Sequence, residues 1–161
     1  MNGQACNPRR GFSLIEAAAV IVIVALIVPP VATMLTNSAG TRAEHVSLAR
    51  AAMLGDAVLE TIVADAASDE PTLGFDALAD SDEYVNGSGT GLRDRLSATA
   101  ELYARYGLSY RVMIGPLADA SGQVTGDAGE DRFRLVTVIV THPSRAGTSE
   151  VSFAVVLGDL G

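Results

Sequence analysis

Residues 9–35 read RRGFSLIEAAAVIVIVALIVPPVATML, and the rest of the chain is arranged behind them. Arg9, Arg10 and Gly11 precede an apolar run that opens at Phe12. One carboxylate, Glu16, sits inside that run, and from Ala17 to Val28 no side chain is polar. As a helix, Phe12 to Val28 covers roughly 26 Å, just short of a hydrocarbon core, and continuing to Leu35 makes it long enough to span. Pro29 and Pro30 each lack an N–H, and each ring presses on the preceding turn, so a kink or a locally loosened turn is expected there. The isolated acid is the informative feature. A carboxylate in lipid costs about 3 kcal/mol on insertion scales, so it usually has a partner and a task.

An ordinary membrane anchor or uncleaved signal accounts for the apolar run but not for Glu16. A secretory signal peptide would carry a small-residue cleavage site after the apolar segment. Here Val28-Pro29-Pro30-Val31 follows instead. Positive residues stay on the cytoplasmic side, so Arg9 and Arg10 orient the residues beyond Leu35 toward the periplasm or the outside.

Taken together, Arg9, Arg10, Gly11, Phe12, Ser13, Leu14, Ile15 and Glu16 resemble the cleavage and methylation signal of type IV pilins and type II secretion pseudopilins. That motif is a basic leader, a glycine, a phenylalanine, a few small or apolar residues, and a glutamate as fifth residue of the mature protein. The resemblance covers Arg9 to about Thr41. It implies that a prepilin peptidase cuts between Gly11 and Phe12 and N-methylates Phe12. It also implies that Glu16 attracts the N-terminal amine of a neighbouring subunit during assembly. The domains expected are a leader over 1–11, a transmembrane helix over 12–35 and a periplasmic or extracellular domain over 36–161. The implied partners are the peptidase, other pilin or pseudopilin subunits and the inner membrane, with no cofactor. The implied function is that of a non-enzymatic structural subunit of a pilus or pseudopilus. The competing class is a membrane-tethered binding or adhesion module that never polymerises.

Beyond leader and anchor, about 120 residues remain, enough for one domain. The chain carries −8, and without Arg9 and Arg10 it has 9 basic and 19 acidic residues, or −10. That argues against nonspecific binding to nucleic acid, which needs a basic surface, and against the domain lying on an anionic membrane face. The one cysteine, Cys6, falls in the leader. A processed chain would have no disulfide, no thiolate zinc site and no cysteine nucleophile. No apolar stretch precedes Cys6 as a lipoprotein signal would require.

After a polar stretch at Asn37–Thr41, helical periodicity resumes. Val46, Ala49, Met53, Val58, Ile62 and Ala66 share a broad apolar face with Leu48, Ala52, Leu59 and Val63. Arg42, Glu44, Arg50, Asp56, Glu60 and Asp65 fill much of the remainder. One long helix from Phe12 to about Ala67 is expected, its second half packed on a sheet. Ser68–Gly91 is expected as an acidic loop and Leu92–Tyr106 as a short helix ended by Gly107. Strand alternation marks Leu108–Ile114 and Val151–Leu157, while Phe133–His142 has apolar or Thr residues on both faces, as in a central strand. The result is an α+β fold: a long N-terminal helix on a small antiparallel meander, which is also the architecture that the pilin resemblance implies. The stretch FDALADSDEYVNG at Phe75–Gly87 loosely resembles acidic, aromatic-containing segments of some minor pilins, which implies a minor subunit.

The chemistry elsewhere is sparse. Asp119, Asp127, Glu130 and Asp131 lie in one Gly-rich connection whose oxygens would suit calcium, but their spacing is not that of an EF-hand. Some major pseudopilins hold calcium in a loop of the sheet. His45 and His142 have no acids at ligand spacing. No nucleophile motif and no phosphate-cradling loop is present, so no catalytic constellation is expected.

Overall fold

The computed structural model describes residues 14–70 and 72–159. The elements are α1 (Leu14–Ala66), a 3-10 turn at Asp76–Ala79, α2 (Ser81–Asn86), α3 (Leu92–Arg95), α4 (Ser97–Ala104), β1 (Ser109–Ala118), β2 (Phe133–Ser144) and β3 (Gly147–Gly158). The chain divides into two units, Met1–Arg42 and Ala43–Gly161.

In the first unit, α1 is continuous through Pro29 and Pro30. A proline in a helix donates no bond to the carbonyl four residues back. The carbonyls of Ala25 and Leu26 therefore lose their ladder donors. Nearby hydroxyls turn onto the helix's own backbone: Thr33 Oγ1 donates to the Pro30 carbonyl at 2.8 Å, and Thr36 Oγ1 lies 3.0 Å from that of Thr33. That arrangement satisfies a polar group without water, as an apolar medium demands.

The second unit has the expected α+β architecture. Three strands form a sheet in the order β1-β2-β3, both pairs antiparallel. Register aligns Tyr110, Val140 and Val151 in one row, Val112, Val138 and Phe153 in the next, and Ile114, Val136 and Val155 in a third. These rows form the face under α1. Val136, Val138 and Val140 are fully buried, and with Ala51, Leu54, Val58, Ile62, Leu78 and Leu92 they form the core. Burying each valine contributes about 1.5–3 kcal/mol.

The buried stripe of the helix differs from the expected one. Val58 and Ile62 face inward as predicted, but Val46, Ala49 and Met53 lie on the exposed side, and Leu48 and Val63 are also exposed. The stripe that packs is Ala51, Leu54, Gly55, Val58, Ile62 and Asp65. Gly55 sets the approach: a Cβ there would lie 2.4 Å from two ring atoms of Phe153. The phenylalanine ring occupies the space that any other residue would fill, so the helix is seated by a hole as much as by side chains.

β1 is longer than expected because Pro116 does not end it. Between Ile114 and Leu117 the register slips by one residue, and the bulge takes up Gly115-Pro116, where a missing N–H costs nothing. Arg134 Nη1 donates to the Gly115 carbonyl at 3.2 Å across that bulge. The connection between β2 and β3 is tight. Pro143 pairs with Thr148 and Ser144 with Gly147, which leaves a two-residue turn. Gly147 has φ +124°, a conformation suited to glycine.

The acidic stretch expected as a loop contains the 3-10 turn and α2. Asp80 caps α2 by accepting from the Glu83 amide at 3.1 Å. The Asp80-x-x-Glu83 spacing is a helix-start signature. The short helix expected over Leu92–Tyr106 appears as α3 and α4, and Gly107 follows with φ +75°.

Candidate functional site

Of the residues expected to carry function, Gly11 and Phe12 lie outside the described residues. Glu16 falls in the first described turn of α1, and it is exposed. Around and beyond it every large apolar side chain described is exposed: Ile15 at 78%, Ile21 at 68% and Leu26 at 72%. At 1.5 Å per residue, Leu14 to Leu35 extends about 33 Å, and this helix is long and apolar enough to cross a membrane. A carboxylate in the first turn of a helix also sits against the positive end of the macrodipole.

The loop expected as a calcium candidate uses its acids internally. The Asp119 carboxylate accepts from the amides of Ser121 and Gln123 at 2.9 and 2.8 Å and from the Ser121 hydroxyl. Asp131 is buried and accepts from the amides of Thr125 and Gly126 and from the Thr125 hydroxyl. Burial raises the Asp131 carboxyl, and the amides of Thr125 and Gly126 outweigh it, so the group titrates below its ordinary range. Asp119 is lowered by the Gln123 amide first and the Ser121 hydroxyl next. Asp127 accepts from the Gly129 amide, and Glu130 is exposed. Among the described residues no three His, Cys, Asp or Glu side chains meet as metal ligands.

His45 is exposed. His142 is buried at the end of β2, with Nδ1 3.1 Å from the Pro143 carbonyl and 3.3 Å from Ser47 Oγ. It joins the start of the packed half of α1 to the β2–β3 hairpin.

The strongest polar cluster in the domain was not expected. Asp65, placed by periodicity on the solvent side of the helix, is 6% exposed. Its carboxylate receives both terminal nitrogens of Arg95 at 2.7 Å each and the Tyr84 hydroxyl. Its backbone carbonyl receives the amides of Ser68 and Gly74 at 3.0 and 2.8 Å. One residue at the end of α1 thus holds α2, α3 and the following loop. Burial first, and then the hydrogen bond to Asp65, push the Tyr84 hydroxyl upward. Nothing local marks this cluster, since Arg95 is 30 residues away in sequence. A bidentate, largely buried pair of this kind fixes geometry.

No protein-family model, curated protein or solved structure matches this chain.

Proposed function

We propose that this protein is a filament subunit of the type IV pilus or type II secretion kind, held in the inner membrane by the first half of α1 with its α+β domain on the periplasmic side. The observation that carries the reading is the lone acid Glu16 at the start of an exposed apolar helix that is followed by a folded domain. In this reading a prepilin peptidase removes residues 1–11 and methylates Phe12, and subunits then associate through their apolar helices. Glu16 is costly in lipid when unpaired and is neutralised beside the amine of a neighbour's Phe12. The domain then carries the subunit's outward surface, and no residue acts as a catalyst.

Intact-mass measurement on the protein extracted from membranes that contain the peptidase tests this directly. The expected mass is that of residues 12–161 plus one methyl group, and Gly11→Val restores the full-length mass. A wild-type chain beginning anywhere other than Phe12 rejects the proposal in favour of a tethered module that does not polymerise.

A further inference from the structure

We infer that the groove between the end of α1 and the end of β3, with the free edge of β3, captures an extended cationic segment of a partner protein by strand addition. This goes beyond the filament reading and does not rest on it.

Two independent features meet at this place. The first is an open sheet edge. Among the described residues β3 pairs only with β2, so its other side faces no described strand. The two-residue turn makes Ser144 and Gly147 a hydrogen-bonded pair, and bonding alternates from there. The Asp159 amide donating to the Arg132 carbonyl at 2.9 Å follows the same phase. Odd-numbered residues of β3 therefore bond inward, and the N–H and C=O groups of Glu150, Ser152, Ala154 and Val156 point outward. Edges are ordinarily guarded by proline, a bulge or several charges. β1, the opposite edge, has Arg111, Pro116 and a bulge. β3 has neither a proline nor a register shift, and Glu150 is its one charged residue.

The second feature is a groove of about 940 Å³ at the end of this strand. Val63, Leu73, Phe75 and Leu157 give it an apolar lining, and Asp69, Glu70 and Asp76 contribute carboxylates. Among the described lining residues there is no lysine or arginine, and Arg134 lies over the Phe75 ring at 5.7 Å. Residues 43–161 contain 8 basic and 18 acidic side chains, so the surrounding field also repels an acidic partner. Strand addition supplies affinity through main-chain bonds, and pockets for alternate side chains supply selection. The occupant that fits is an extended segment alternating apolar and basic residues. A second copy of this domain, itself acidic, does not fit.

The test uses the full chain in a neutral detergent and a fluorescent ten-residue peptide of alternating valine and lysine. Saturable binding is expected, weakened several-fold by added salt and lost with the valine–glutamate counterpart. Methylating two peptide amides on the bonding side removes two hydrogen bonds and weakens binding about tenfold. Ala154→Pro removes an outward N–H and no bond to β2, so it blocks capture while the fold is kept. The triple substitution Asp69→Asn, Glu70→Gln, Asp76→Asn lowers both affinity and salt dependence. Equal binding of the methylated peptide shows mere electrostatic adsorption and overturns the inference, whatever the proline variant does. Equal binding of the glutamate peptide, or no saturable binding of the lysine peptide, also overturns it.

Discussion

Between Val20 and Leu35 every large apolar side chain of α1 is exposed, whereas between Ala51 and Ile62 the same helix buries Ala51, Leu54, Val58 and Ile62 almost completely. Both stretches are rich in Ala, Val, Leu and Ile. Hydrophobic content therefore does not say what a helix packs against. In the first half the apolar residues run all round the cylinder, which suits a surrounding apolar medium. In the second half the sheet selects one stripe, and glycine and an acid are part of it. The first half is specified by its solvent and the second by side chains far away in sequence. The chain has four tyrosines and no tryptophan. Tyr84, Tyr103, Tyr106 and Tyr110 all lie in the second unit, so tyrosine fluorescence of the full chain in detergent reports on that unit alone.

The largest effect is expected where the second half depends most on a distant partner. Arg95→Ala leaves Asp65 buried without its cation, at a cost of about 3–5 kcal/mol in unfolding free energy. Replacing both, Asp65→Leu with Arg95→Met, is expected to cost much less than the sum of the single changes. Additive losses in denaturant titrations would show that the pair is not a coupled unit, and the contrast between the halves would weaken.

Gly55→Ala comes next. Alanine gains about 1 kcal/mol of helix propensity over glycine. Overpacking against the Phe153 ring costs about 1–3 kcal/mol. A net lowering of the denaturation midpoint is expected, relieved by combining the change with Phe153→Leu. A stabilised Gly55→Ala variant would mean that the ring moves aside readily and that the seat is not a fixed hole.

These two positions also explain which parts of the fold could be read in advance. The strands were readable because a period of two is local, and the sheet order was readable because consecutive strands in a meander pair with their neighbours. The long helix and its membrane-spanning length were readable for the same reason. The packed stripe was not: with apolar residues on most sides of Val46–Ala66, periodicity offered several faces, and only the Phe153 ring and the Arg95 guanidinium choose among them. The strand expected over Leu108–Ile114 stops short of Gly115-Pro116 because a bulge that absorbs a proline depends on the register of the partner strand. Asp80 and Glu83 carry the helix-start spacing of α2, yet the density of acids around them reads as a loop. Glu16 stood out in the sequence because its neighbours are uniformly apolar. The groove at β3 did not, because its walls come from two stretches, 63–77 and 156–159, that are far apart in sequence.

A smaller effect separates the acidic connection from the core. Asp131 is held below its ordinary range in the folded state, so its contribution to stability is present above the unfolded carboxylate value, near pH 4, and is lost as pH falls through the folded value. Asp131→Asn is expected to lower the melting midpoint modestly at pH 7. The gap between variant and wild type then closes on acidification below about pH 4. A gap that is constant with pH would assign the loss to packing and not to the ionised carboxylate.

The smallest effect on the domain is expected from the first half of α1, and Glu16→Val is the informative change there. Glu16 lies in the first described turn, in the first unit, and it is no part of the second unit's core, which begins at Ala51. Removing a carboxylate from an apolar segment eases insertion, so membrane-extracted yield is expected to hold or rise. Tyrosine-monitored unfolding should be unchanged within error, as should that of Val22→Ala, because neither side chain belongs to the core. If either change shifts the midpoint by more than about 0.5 kcal/mol, the usual range for substitutions away from packed features, the two halves are energetically coupled and the contrast drawn between them fails. Under the filament proposal the same Glu16→Val protein is still processed at Gly11–Phe12 and yet is depleted from filaments relative to processed protein in the membrane. Depletion with an unmoved midpoint assigns Glu16 to association between subunits. Normal incorporation removes that role and leaves the carboxylate as a first-turn acid that favours only its own helix.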